Sequence, residues 1–303
     1  MRHPVIARIT ALVAAFMGLA PVGAAQTARP ETTYDSDRIQ VSSEGRGPDV
    51  ILIAGNASDP AIWDALVDRL RGSHRIHRVH VRGFSGLDAG ANAQGAVLEP
   101  TAQAIADYIG RSGLERPAVI GHSLGGSMAL SLAARHPERV GRLMVVDMLP
   151  FNGVFFGPPG STAGSLRPTG EAMRARLAGM TPEGWAASNR RSMAALVTDE
   201  AVRAGLIRHA VTSDRDVAGR AMRDLITTDL RPELSRIAAP TTVLYARGPN
   251  IPLTDAALEA LFRNQYRGLE TVRLKRIADS RHFIMLDQPE VFAAEVDAFL
   301  SAE

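Results

Sequence analysis

Val119-Ile120-Gly121-His122-Ser123-Leu124-Gly125-Gly126 sets Gly-x-Ser-x-Gly between two runs of different character. Pro117 to Ile120 is short, apolar and ended by glycine, as a buried strand is. Ser127 to Arg135 holds no breaker and stops near Pro137, as a helix does. Strand, sharp turn and helix make the context in which a serine stands proud of a sheet as a nucleophile. Such a turn forces a strained backbone on Ser123, and Gly121 and Gly125 leave room where larger side chains would collide. A helix starting at Leu124 would aim a backbone N–H and the positive end of its dipole at an anion forming there. The bland alternative is a structural serine in a Gly-rich turn, and the strand and helix on either side weigh against it.

The stretch resembles the nucleophile elbow of the α/β-hydrolase superfamily, and the resemblance covers most of the sequence after its first residues. It implies an α/β fold, the α/β-hydrolase fold: a mostly parallel twisted sheet flanked by helices, with a helical cap inserted after the sixth strand. It also implies the chain order nucleophile, acid, histidine, with the histidine following the last strand.

Length and composition agree with one such domain, since 303 residues at 46% hydrophobic content can bury a single large core. Arg2, His3 and Arg8 precede an apolar run from Ile9 to Ala20, followed by Pro21 and the small residues Gly23, Ala24 and Ala25. Residues 1–25 therefore read as a secretory signal peptide, so the protein is expected to be secreted or periplasmic. The run is shorter than the ~20 residues that span a bilayer, so no stable membrane insertion is expected after cleavage. Without Arg2 and Arg8 the net charge of +2 falls to zero, which gives no nucleic-acid footprint. Lys275 is the only lysine and cysteine is absent, so stability must come from the core rather than from disulfides.

Residues 26–34 read as a flexible N-terminus, Arg38 to Ser43 as a first strand, and Val50 to Ala54 as a buried one. Gly55-Asn56-Ala57-Ser58-Asp59-Pro60 follows, and Ile62, Trp63, Leu66, Val67 and Leu70 then recur at helical spacing. The superfamily often has His-Gly-x in this loop, with a backbone N–H serving the oxyanion; here Ala54 stands in the histidine's place. The resemblance implies the backbone N–H groups of Asn56 and Leu124 as the oxyanion pair. The Asn56 side chain either points into the site or merely suits the turn.

Ile76 to Val81 reads as the next strand, and Arg82-Gly83-Phe84-Ser85-Gly86 resembles the superfamily loop that follows it. His74, His77 and His80 are spaced by three, which alternates faces on a strand, so no metal is expected there. Neither a dinucleotide loop nor zinc-ligand spacing occurs, and no cofactor is expected. The core is expected over 26–150 and 233–303. Residues 151–232 break the strand–helix rhythm with four helical segments. Phe151, Phe155 and Phe156 at their entry are expected to line the substrate pocket, or else to pack cap against core.

Thr241 to Ala246 and Leu269 to Ile277 read as the last two strands. His282 follows in Ala278-Asp279-Ser280-Arg281-His282-Phe283, where the resemblance places the catalytic histidine. The acid is displaced. The loop after Thr241 to Ala246 reads Arg247-Gly248-Pro249-Asn250-Ile251-Pro252 and has no carboxylate before Asp255. Asp147, at the end of the strand before the insertion, is preferred over Asp255, which sits where helix starts favour acids anyway. Asp279 and an uncharged Asn250 remain further options.

The expected chemistry is acyl transfer by Ser123, with His282 as base and Asp147 as its orienter, on a small-molecule ester or lactone. Amide or aminopeptidase activity of the prolyl iminopeptidase kind is the runner-up, with Asp214, Asp216 or Asp224 as candidate amine partners. A non-catalytic binding protein on the same fold is the third option.

Overall fold

The computed structural model describes residues 32–249 and 251–301. The leader-like residues 1–25 and Asn250 therefore lie outside the described residues. Among these, eight strands form one sheet: β1 Thr32–Asp35, β2 Ile39–Gly45, β3 Asp49–Ile53, β4 Arg75–Val81, β5 Ala118–His122, β6 Arg142–Val146, β7 Thr241–Tyr245 and β8 Val272–Arg276. Their order is β1-β2-β4-β3-β5-β6-β7-β8, antiparallel at the β1–β2 and β2–β4 pairs and parallel from β4 onward.

Composition explains the division. The parallel strands β3, β5, β6 and β7 are almost continuously apolar and buried, because helices cover both faces. By contrast β2 alternates, with Ile39 and Val41 fully buried and polar residues between them. Among the described residues ten α-helices accompany the sheet: α1 Asp64–Leu70, α2 Leu98–Arg111, α3 Leu124–Arg135, α4 Arg167–Ala178, α5 Pro182–Leu196, α6 Glu200–Val211, α7 Arg215–Thr227, α8 Asp255–Gln265, α9 Ile284–Asp287 and α10 Pro289–Ser301. Apolar residues of α2, α3 and α8 pack on one face of the sheet, and those of α1 and α10 on the other. The result is the three-layer arrangement expected from alternating strands and helices.

The N-terminal expectation needs correction. Thr32 to Asp35 is a strand rather than flexible chain, so the segment expected to be the first strand is the second. The four-residue run is too short and polar to announce itself. It forms because β2 offers an open edge and because the Tyr34 ring lies 4.9 Å from that of Tyr108.

Between β6 and β7 the sheet rhythm is interrupted by α4, α5, α6 and α7, within the expected 151–232 stretch. These helices are tied to the rest at named points. Asp224 on α7 accepts hydrogen bonds from the Val97 and Leu98 N–H groups at the start of α2, at 2.6 and 3.1 Å. Asp214 donates its N–H to the Gly83 carbonyl at 2.8 Å and caps α7 with its side chain.

The β5–α3 turn brings backbone against backbone at two glycines. A Cβ added to Gly121 would lie 2.2 Å from the Gly125 carbonyl oxygen, and one on Gly125 would lie 2.3 Å from that of Ile53. Both obstacles are backbone and cannot swing aside. Gly121→Ala is expected to lower unfolding free energy by at least about 2 kcal/mol in a urea titration. Gly72→Ala, where a Cβ meets nothing within 4 Å, should change it by less than about 0.5 kcal/mol. Equal effects would contradict the account of the turn.

Candidate active site

Ser123 follows β5 and occupies the N-cap position of α3 with φ 54° and ψ −123°, a conformation L-residues rarely adopt. It is held there by main-chain bonds: its N–H donates to the Val146 carbonyl at 3.0 Å, and its carbonyl accepts from Gly126 and Ser127 at 2.8 and 3.1 Å. The strain is thus imposed by the surrounding backbone, as at sites where one side chain must be presented.

Asp147 follows β6 and also has positive φ, 52°. Its N–H donates to the Leu244 carbonyl at 2.7 Å, while its Oδ1 accepts the Ala246 N–H at 2.9 Å. Its Oδ2 lies 2.6 Å from Nδ1 of His282, which the loop after β8 carries. A carboxylate accepts, so Nδ1 carries the proton, and in the neutral ring Nε2 is left as the basic nitrogen. Asp147, His282 and Ser123 all line one cavity of about 360 Å3.

Of the rival acids, Asp255 is engaged elsewhere. Asp255 pairs with Arg247 at 2.6 Å and Arg276 at 3.0 Å and opens α8. Asp279 is exposed, with its carbonyl accepting from the Gln288 side chain. Asp147 could reach His282 because β6 and β8 flank β7 in the sheet, a neighbourhood that chain order does not display.

The loop Gly55 to Ser58 forms another wall. A Cβ on Gly55 would come within 3.1 Å of Ser123 Cβ, so this loop passes directly over the serine. Among the described residues, neither the Asn56 nor the Leu124 N–H has a protein acceptor. Leu124 is the first residue of α3, where such N–H groups are left open by helix geometry. The Asn56 side chain serves the scaffold: Nδ2 donates to the Ala218 carbonyl of α7 at 3.1 Å.

Of the three entry phenylalanines, Phe155 and Phe156 line the cavity. Phe151 does not, which corrects the expectation. It is fully buried beside Leu166 and Ile226, with the Arg231 guanidinium 4.7 Å above its ring. An aromatic at the start of an insertion packs wherever apolar neighbours meet it, and here they lie behind the wall.

Sequence reasoning missed most of that wall. Trp185, Ser188, Asn189, Ser192 and Leu196 line the cavity from α5, and Leu258 and Phe262 from α8. The α5 residues recur at helical spacing, so one inward face was legible in principle. The candidate amine partners do not line the cavity. Asp216 pairs with Arg174 and Arg220, while Asp214 and Asp224 hold backbone N–H groups. The three spaced histidines go separate ways, His77 to Tyr108 and Asp49, His80 to the Phe84 carbonyl, and His74 to Ser73.

The sequence model of the alpha/beta hydrolase family matches residues 50–295. Similar curated proteins include a pimeloyl-[acyl-carrier protein] methyl ester esterase of Nitrosomonas europaea, 34% identical over 114 residues, which are 37% of this chain and 42% of the relative. Another is epoxide hydrolase 3 of Xenopus tropicalis, 29% identical over 106 residues, 35% of this chain and 29% of that one. The matched stretch thus spans well under half the length of these relatives. Among solved structures, a hydrolase from Pseudomonas aeruginosa superposes with TM-score 0.74 at 19% identity, covering 91% of this chain and all of the other. An enol-lactonase from Burkholderia xenovorans does so with TM-score 0.68 at 19% identity over 87% of this chain and 96% of its own. At that identity the likeness concerns the fold. With the family matched across most of its length and its sheet, elbow and flanking helices in place, the chain belongs to the alpha/beta hydrolase family.

Proposed function

We propose that this chain is an exported serine hydrolase that cleaves a neutral carboxylic ester or lactone through an acyl-enzyme on Ser123. The observation that carries the reading is the 2.6 Å contact of His282 Nδ1 with Asp147, in a cavity that also holds the strained Ser123. In this mechanism His282 Nε2 takes the Ser123 proton as Oγ attacks the carbonyl carbon. The charge gathering on the carbonyl oxygen is met by the open N–H groups of Asn56 and Leu124. Collapse breaks the bond to the alcohol, which leaves with the proton from His282. A water, deprotonated by the same nitrogen, then releases the acid and restores Ser123. Asp147 keeps the imidazole in the useful tautomer and stabilises its charged form.

The inserted helices α4 to α7 act as a cap, and α5 and α7 supply part of the cavity wall. Leader-like residues 1–25 support export to the periplasm or medium. Among the described residues no helix is long and apolar enough to cross a membrane.

Charge narrows the substrate. Among the described residues lining the cavity only His122, Asp147 and His282 are ionisable; burial holds the His122 imidazole well below the usual histidine range, and both Asp147 oxygens are already engaged. A substrate carboxylate inside would have no cation, and a substrate ammonium no free carboxylate, each a costly burial. The aminopeptidase alternative therefore lacks an amine partner.

Hydrolysis of p-nitrophenyl butyrate should fall by at least about 1,000-fold in Ser123→Ala and in Asp147→Asn, and by less than about threefold in Asp255→Asn. Full activity in Ser123→Ala would refute the nucleophile, and an inert unmutated protein would favour a binding role. Methyl butyrate should exceed monomethyl succinate in kcat/KM by at least about tenfold, or ~1.4 kcal/mol. Equal rates for the two would contradict the neutral-substrate assignment.

A further inference from the structure

His122 immediately precedes Ser123 and has no part in the steps above. Its side chain is 1% exposed, and a polar ring buried that deeply needs partners. One nitrogen has one: Nε2 lies 3.1 Å from the main-chain oxygen of His282. A carbonyl oxygen only accepts, so Nε2 carries the proton and donates. Nδ1 is then a lone-pair acceptor, and it is buried without a partner among the described residues. It abuts the Gly55 turn, where an added Cβ would stand 3.2 Å away. A proton on Nδ1 would create an unpaired buried charge. Burial, reinforced by the nearby His282, accordingly holds this imidazole well below the usual histidine range. The ring is also clamped between aromatics, its centroid 4.6 Å from those of both His282 and Phe283.

We propose that His122 is a positioning residue that fixes the separation of Ser123 and His282 by donating Nε2–H to the His282 carbonyl. His122 and Ser123 are consecutive in the chain, so whatever His122 grips is referred directly to the nucleophile. His282 needs that reference because its loop leaves β8, three strands away from β5 in the sheet. Asp147 holds only Nδ1, and an imidazole fixed at one nitrogen can still pivot and carry Nε2 away from the serine. Holding the main chain of His282 as well removes that freedom. Proton transfer is steeply sensitive to such placement, and about 1 Å of error costs on the order of 100-fold in rate. The Phe283 N–H donating to the Leu196 carbonyl at 3.3 Å steadies the next residue from the α5 side.

The inference rests on the serine-nucleophile reading, so its test uses two readouts. One is hydrolysis of p-nitrophenyl butyrate. The other is phosphonylation of Ser123 by a fluorophosphonate, in which the Oγ–P bond forms, fluoride leaves and the serine proton passes to His282. His122→Phe keeps an aromatic ring and loses the donor, whereas His122→Gln keeps an N–H donor at similar reach. His122→Phe is expected to lower kcat about 10- to 100-fold with KM within about threefold, and to slow phosphonylation by a similar factor. His122→Gln should return both to within about fivefold of the unmutated protein. If His122→Phe does not fold, His122→Met takes its place as the donor-free variant against His122→Gln. The proposal is overturned if the donor-free variant stays within about twofold in both assays, or if His122→Gln is as impaired as it is. Phosphonylation without ester turnover would remove the ester reading and leave the His122 comparison readable from labelling rates. Failure of both reactions in the unmutated protein would overturn both ideas.

Discussion

The close approach of two glycines across the β5–α3 turn is the constraint on which everything else depends. Gly121 and Gly125 let the backbone of the elbow press against itself and against β3, at separations a single Cβ would violate. That compression gives Ser123 its positive φ and lifts its side chain from the central strand of the sheet. It also opens the N-terminus of α3 beneath the serine, where the Leu124 N–H is left free of the helix ladder. A stable core on both faces of the sheet keeps this unfavourable geometry in place, since the strain is small beside the apolar burial around it.

Strand order does the rest of the assembly. The C-terminal ends of β5, β6 and β8 point the same way because the sheet is parallel there, so Ser123, Asp147 and His282 converge at one edge. Ligand sites in open α/β sheets gather at that edge for the same reason. The helices inserted between β6 and β7 emerge beside it, and α5 and α7 wall a cavity with few ionisable groups. Under the proposed mechanism the low polarity of that wall strengthens the hydrogen bonds to the developing oxyanion.

Much of this was legible in the sequence, and unevenly so. The elbow is local chemistry, a few residues whose types are dictated by one turn, so Ser123 and its glycines stood out. His282 was legible from its place after the last strand. Asp147 was readable as the preferred acid with Asp255 still open, because its contact with His282 is made across strands that are neighbours in space and distant in chain. Phe151 shows the opposite limit: an aromatic near a pocket goes where apolar neighbours receive it, and composition does not say on which side of the wall they lie. β1 was hidden because its pairing partner supplies what its own four residues lack. His122 filled a variable position of the motif, and only its bond to the His282 carbonyl gives it significance.

The most direct test of the central claim is rapid-quench mass spectrometry of the protein during turnover of p-nitrophenyl butyrate. The account predicts a butyryl mass on the peptide that contains Ser123, appearing before steady state and absent in Ser123→Ala. Turnover with Ser123 unmodified, or with the acyl group on another residue, would contradict it.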